Sequence, residues 1–124
     1  MQKNRRIGQV SSRVAQLLNL TAMEDRCIYI GESNIQHIKN SHPEDYARYG
    51  DKIELILSNP DYVGQNPADN SIEYVKEFLL DQEYVKVAVR VSQNGRYFVR
   101  SLYCLNARRV KNFIAKGTLV SLKS

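Results

Sequence analysis

Residues 71–105, SIEYVKEFLLDQEYVKVAVRVSQNGRYFVRSLYCL, decide the fold. Apolar and polar side chains alternate through three runs, 71–80, 83–93 and 96–105, which is the period of β-strands and not of helices. Asn94-Gly95 sits between two of them and is the strongest short hairpin signal, because a type I′ turn needs positive φ at both central positions. Asp81-Gln82 is a weaker turn signal between the first two runs.

A two-residue Asn-Gly turn fixes the register. Gln93 then faces Arg96, Ser92 faces Tyr97, Val91 faces Phe98, Arg90 faces Val99 and Val89 faces Arg100. Further along, Ala88 faces Ser101, Val87 faces Leu102, Lys86 faces Tyr103 and Val85 faces Cys104. Directly opposed side chains share a face. One face therefore carries Val85, Val87, Val89, Val91, Phe98, Leu102 and Cys104, broken only by Arg100, and is expected to be core. The other carries Lys86, Arg90, Ser92, Tyr97, Ser101 and Tyr103, with Ala88 and Val99 among them. If Asp81-Gln82 is a two-residue turn, Glu73 falls opposite Arg90 and Glu77 opposite Lys86 on this second face.

Outward from these strands, ARRVKNFIAKG (107–117) returns to helical spacing, with Gly117 as a stop, and TLVSL (118–122) reads as a fourth strand. Upstream, Val10, Val14, Leu17 and Leu18 recur at helical spacing, and RCIYIG (26–31) reads as a short strand. Ser33 is a helix cap ahead of NIQHIKNS, and Pro43 forces the chain out of helical geometry at His42. A second helix is expected from Pro43 to Ser58, then a turn-rich stretch, 59–70, with a short extended piece at Tyr62 and Val63. The fold class is α+β: N-terminal helices packed on a four-stranded antiparallel meander, with residues 1–25 a helical appendage to a domain spanning 26–124.

With 124 residues the chain is long enough for one hydrophobic core. Its 43% hydrophobic and 25% charged residues are those of a globular protein. No apolar run approaches the ~20 residues of a membrane helix, and the basic N-terminus lacks the apolar core of a signal peptide. Cys27 and Cys104 read as two free buried thiols, so a cytoplasmic setting is expected. The net charge of +5 is unevenly spread: residues 71–124 hold ten basic and four acidic side chains, while residues 27–70 hold three and seven. A basic C-terminal half suits an anionic partner such as nucleic acid, and equally suits a solvated surface. Two readings also stand for the polar sheet face: an ordinary solvated face with weak ion pairs, or a platform for phosphates and bases.

The chain's two histidines, His37 and His42, lie in IQHIKNSHPEDY (35–46). At 100° per residue His42 falls between Ile35 and Ile38 on the apolar side of its helix, and His37 nearly opposite. A histidine so placed is either structural or, if the helix end meets the polar sheet face, available for proton transfer. Histidines five apart lie on different helix faces and no third ligand has a recognisable spacing, so no metal site is read. A GxSxG elbow, a P-loop and a dinucleotide fingerprint are absent. Acid/base chemistry without metal or cofactor is what these residue types permit.

HIKNSHPEDY, ILSNPDYV, IEYVKEF, and VKVAVRV followed after a turn by YFVRSLY together resemble the phage barnase–EndoU–colicin–RelE-like nuclease domains, over about residues 26–122. The resemblance implies a barnase/RelE-like fold, metal-independent ribonuclease or toxin activity, and a phage or mobile-element association. It carries the helix-borne histidines over to His37 and His42, and the cationic and hydroxyl positions of the sheet to Arg90, Arg100, Ser101 and Tyr103. Glu73 is a candidate by register alone.

The implied reaction is attack of an RNA 2′-hydroxyl on the adjacent phosphate, giving a 2′,3′-cyclic phosphate. Two imidazoles, with an ordinary pKa near ~6.5, suit the general base and acid. Arg90, with Lys86 or Arg100, is expected to clamp the phosphate, Ser101 to hydrogen-bond it, and Tyr97 and Tyr103 to stack on bases or donate to oxygens. The expected partners are RNA, tRNA included, and an immunity or antitoxin protein, without a membrane. Two alternatives stand beside this: a catalytically silent RNA-binding or interaction module using the basic helix 107–116, and an antitoxin-like structural protein that dimerises through its N-terminal helix.

Overall fold

The three strands expected between residues 71 and 105 form as β4 (Ile72–Phe78), β5 (Glu83–Val91) and β6 (Tyr97–Leu105), paired antiparallel. They are the centre of a larger sheet than the sequence announces. The computed structural model describes residues 4–20, 26–92 and 95–122. Among these, β1 (Arg5–Gln9), β2 (Cys27–Ile30), β3 (Tyr62–Gln65) and β7 (Val120–Ser121) extend it to seven strands in the order β1-β2-β6-β5-β4-β3-β7. The expectation of four antiparallel strands is corrected accordingly. The sheet is mixed, because β2 runs parallel to β6 through Ile28–Tyr97 and Tyr29–Phe98.

The N-terminal segment departs from expectation in the same way. Residues 5–9 pair antiparallel with β2, and only Ser12–Leu17 is helical (α1), capped by the Ser11 hydroxyl, which accepts from the Val14 N–H. Ile7, Val10 and Val14 are buried in the main core. The spacing of Val10 and Val14 came from burial across a strand end and a short helix, not from one long amphipathic helix.

α2 (Glu32–Ser41) has its N-cap at Gly31, two residues before the expected Ser33 cap, and the Asn34 side chain accepts from the Gly31 N–H at 2.8 Å. Pro43 ends it as expected, and His42 lies at the break with φ −139° and ψ 66°. The expected helix 43–58 is divided into α3 (Pro43–Tyr49) and α4 (Ile53–Ser58) by one tight turn at Gly50–Lys52. A Cβ at Gly50 would lie 2.8 Å from the Tyr46 ring, so a larger residue there requires that ring to shift. α5 (Ala107–Ala115) is capped by Asn106 and stops at Gly117 with φ +78°, as the sequence indicated.

Pairing along β5 and β6 follows the expected register only over half its length. Val85–Cys104, Lys86–Tyr103, Val87–Leu102 and Ala88–Ser101 pair as read. Toward the turn the partners are Val89–Val99, Arg90–Phe98 and Val91–Tyr97. The Ser92 N–H donates to Arg96 O, so three residues rather than two close the loop. Gln93, expected opposite Arg96, and Asn94 lie outside the described residues; Gly95 has φ +79°. Arg100 is the extra residue of a β-bulge, which restores the register beyond it.

The bulge settles the conflict that Arg100 posed on the valine face. Arg100 is exposed, while Val99 and Tyr97 take core positions and Phe98 turns to the polar face. Val85, Val87, Val89, Val99, Leu102, Ile72 and Tyr74 form the covered face, against α4 (Ile53, Ile56, Leu57), Ile38 of α2 and Tyr49 of α3. On the opposite face a smaller cluster, Val75, Leu105, Val110 and Leu119, seats α5 over one end only. The rest of that face is left to the polar side chains. No helix among the described residues is long and apolar enough to cross a membrane.

Candidate active site

Two directly opposed residues centre the polar face: Lys86 of β5 and Tyr103 of β6. The Lys86 ammonium stands 4.7 Å from the centroid of the Tyr103 ring. It also contacts Glu73 of β4, Nζ to Oε2 at 2.6 Å. The four-residue connection 79–82 pairs Phe78 with Glu83, so Glu73 lies opposite Ala88 and Glu77 opposite Tyr84, not opposite Arg90 and Lys86. The offset from the expected register is two residues, which preserves faces, and Glu73 reaches Lys86 diagonally.

This ion pair is nearly buried, with side-chain exposures of 7% for Lys86 and 11% for Glu73. Burial alone pushes the Lys86 ammonium down; hydrogen bonds to Glu73 and Tyr103, with the Glu73 charge, outweigh it and hold the pKa above the ordinary lysine value. Lys86 is therefore a fixed cation.

His42 completes the group. Its imidazole stacks on Tyr103, with centroids 4.9 Å apart and planes 28° apart. Helix-face arithmetic had put His42 with Ile35 and Ile38, but the break before Pro43 takes its backbone out of the helix. Ile38 enters the core and His42 reaches the opposite side of the sheet edge. The α2–α3 pair is anchored there: Asp45 Oδ2 accepts the Cys104 N–H at 3.1 Å, on the side of β6 that β2 leaves unpaired.

Ser101 lies one pair along the same face, opposite Ala88, and Arg90 one pair further, opposite Phe98. Asp69, set below the usual carboxylate range first by the Ser71 hydroxyl and N–H, is also lowered by the Arg90 charge. Arg90 and Arg100, both exposed, share a shallow hollow of about 380 Å³ beside the bulge.

Not every candidate is brought in. His37 is exposed on the outer side of α2, in a surface hollow with Glu32, Gln36 and Asn40, away from the Lys86–Tyr103 pair. Tyr97, expected on the polar face, is 4% exposed and belongs to the hydrophobic core. The structure thus gathers His42, Tyr103, Lys86 and Glu73, with Ser101 and Arg90 in line.

A second polar cluster, which the sequence did not disclose, lies at the edge beneath α3. Cys104 Sγ donates to Glu83 Oε2 at 3.0 Å, Glu83 pairs with Arg48, and Tyr49 donates to Asp81 Oδ2 at 3.0 Å. Burial, then the Glu83 and Asp45 carboxylates, drive the Cys104 thiol far up, so it is protonated and not a nucleophile. Burial and the Asp81 hydrogen bond push Tyr49 up to about 12. Neither cysteine is in a disulfide, and both are half-buried. Among the described residues no group of three His, Cys, Asp or Glu side chains has the disposition of a metal site.

A family model described as phage-Barnase-EndoU-ColicinE5/D-RelE like nuclease3 matches residues 5–112. It spans β1 through most of α5 and every residue of the polar group. No curated protein and no solved structure matches the chain.

Proposed function

Since the chain belongs to the phage-Barnase-EndoU-ColicinE5/D-RelE like nuclease family, we propose that the His42–Tyr103–Lys86 face is the active site of a metal-independent, toxin-like endoribonuclease. The observation that carries the reading is the stack of His42 on Tyr103 beside a fixed ammonium. An imidazole is the one side chain whose unperturbed pKa serves proton transfer near neutrality. Here it adjoins a phenol and a cation on a rigid strand pair.

In this reading the RNA supplies its 2′-hydroxyl as nucleophile. His42 carries one of the two proton transfers and the Tyr103 hydroxyl the other: removal of the 2′-proton and protonation of the leaving 5′-oxygen. Lys86 and Arg90 neutralise charge gathering on the phosphorane, and Ser101 donates to a phosphate oxygen. Glu73 holds Lys86 in place. His37 takes no part. The product is a 2′,3′-cyclic phosphate.

One observation favours a second reading, an RNA-binding module without chemistry. Glu73 cancels the Lys86 charge, while Arg108, Arg109, Lys111 and Lys116 of α5 and its cap are all exposed. Incubating the protein with total RNA and tRNA in EDTA separates the two. Cleavage with cyclic-phosphate ends that is lost in folded His42→Ala supports the nuclease. Intact RNA across pH 5–9, with retained RNA affinity, overturns it in favour of the module.

A further inference from the structure

The hollow beside the β6 bulge has features that phosphate chemistry does not require. Its walls include Ser33 and Asn34 of α2, Arg90 and Ser92 of β5 and its end, and Phe98 and Arg100 of β6. Phe98 is half-buried on the polar face, next to the Tyr29 ring at 5.9 Å, and Arg96 lies 5.4 Å over Tyr29. Ser92 also lines the hollow, although its hydroxyl oxygen is buried and has no hydrogen-bond partner among the described residues. The Asn34 carbonyl oxygen is engaged by the Gly31 N–H, which fixes the amide's orientation and leaves its NH₂ as donor.

We propose that this hollow is a nucleobase pocket that selects the base flanking the scissile phosphate. The proposal rests on the ribonuclease reading for its substrate class. Phe98 is the stacking surface, Arg100 holds the phosphate at the pocket mouth, and Asn34 reads the base edge. Successive same-face residues on a strand are about 7 Å apart. Phe98 and Arg90 thus stand roughly 7 Å from Ser101 and about 13 Å from the Lys86–Tyr103 pair. A nucleotide with its base on Phe98 brings its phosphate over Ser101, toward His42. Because Asn34 offers donors, it favours a base with an exocyclic carbonyl on its pairing edge, uracil or guanine, over adenine. The bulge sets one wall of the pocket, since it turns Arg100 out of the valine face beside Phe98.

The test is binding of 3′-UMP, 3′-GMP and 3′-AMP to the full chain by calorimetry, with uridine as the phosphate-free control. Saturable binding with UMP or GMP tighter than AMP is expected. Phe98→Ala weakens it about fivefold or more. Arg100→Ala weakens 3′-UMP and leaves uridine unchanged. Asn34→Asp keeps the acceptor for Gly31 and reverses the base preference, without touching the core. His37→Ala, in a separate hollow of α2, leaves nucleotide affinity in place. The absence of saturable binding by any nucleotide overturns the pocket, and so does equal affinity for all three that Asn34→Asp does not change. Base-selective binding by a protein that leaves RNA intact supports the pocket and overturns the ribonuclease; RNA cleavage without base preference does the reverse.

Discussion

The imidazole of His42 lies on the ring of Tyr103, 4.9 Å between centroids, although 61 positions separate them in the chain. The stack joins the helix break at Pro43 to the middle of β6, and so brings an imidazole onto the polar sheet face. His42→Ala removes that group and little of the core, because His42 is only half-buried. RNA cleavage is expected to fall by about 10²–10⁴-fold. Tyr103→Phe keeps the stack and removes the hydroxyl, and a loss of similar size is expected if that hydroxyl moves the second proton. His37→Ala is expected to leave the rate unchanged. Single-turnover cleavage rates, beside thermal denaturation of each variant, check all three.

The Lys86–Glu73 pair should behave as a nearly buried ion pair. Glu73→Ala strands an ammonium away from water and is expected to cost about 3–5 kcal/mol of stability. Replacing both residues together, Lys86→Met with Glu73→Leu, is expected to recover most of that. Lys86 has a pKa above its unfolded value. The stability it contributes is therefore full below the ordinary lysine value of 10.5 and lost as pH rises through the folded pKa. Urea denaturation at pH 7 and above pH 10.5 reads both effects; equal alkaline loss in the double variant would contradict the second.

Cys104 is expected to resist alkylation in the native protein at pH 8, since burial and two carboxylates keep it protonated. Glu83 supplies the other half of the arrangement. The Cys104 hydrogen bond, then Arg48, hold its carboxyl below the usual range. Its folded pKa is depressed, so the stability it contributes is present above the ordinary carboxylate value and lost as pH falls through the folded one. Iodoacetamide labelling followed by mass spectrometry should find Cys104 unmodified under native conditions and labelled in urea. Rapid native labelling would mean that the Glu83 contact is not made in solution.

The strands from Ile72 to Leu105 were legible because alternation is a local property, and so was the face carrying Lys86, Ser101 and Tyr103. The register near the turn was not. A three-residue loop shifts the pairing by one and the bulge shifts it back, so Tyr97, Phe98 and Val99 were placed on the wrong faces while residues beyond 100 were right. The lone Arg100 on an otherwise apolar face was the signal that a bulge was present. β1 was hidden because RRIGQ carries little β-propensity of its own; pairing with β2 and burial of Ile7 make it a strand. His42 was misjudged because helical periodicity stops applying at the residue before a proline. The Asp45–Cys104–Glu83 contacts join residues 59 and 21 positions apart, which no short-range pattern discloses.

The bulge itself yields a deletion test. Removing one residue from a central strand normally flips every following side chain to the other face. Removing Arg100 should not, because Val89–Val99 and Ala88–Ser101 already pair correctly on either side of it. Deletion of Arg100 would close β6 into a regular ladder with Tyr97, Val99 and Leu102 still in the core. The expected cost lies within the ordinary range for a point change, about 0.5–3 kcal/mol. Deletion of Leu102 should instead unfold the chain, since it loses a fully buried side chain and turns Tyr103 and Leu105 over. If the pocket beside the bulge reads a base, the Arg100 deletion also loses base-selective nucleotide binding while remaining folded. Circular dichroism with urea titration of the two deletions measures the first contrast, and nucleotide calorimetry the second. Equal damage from both deletions would mean that Arg100 is not the residue that the ladder omits.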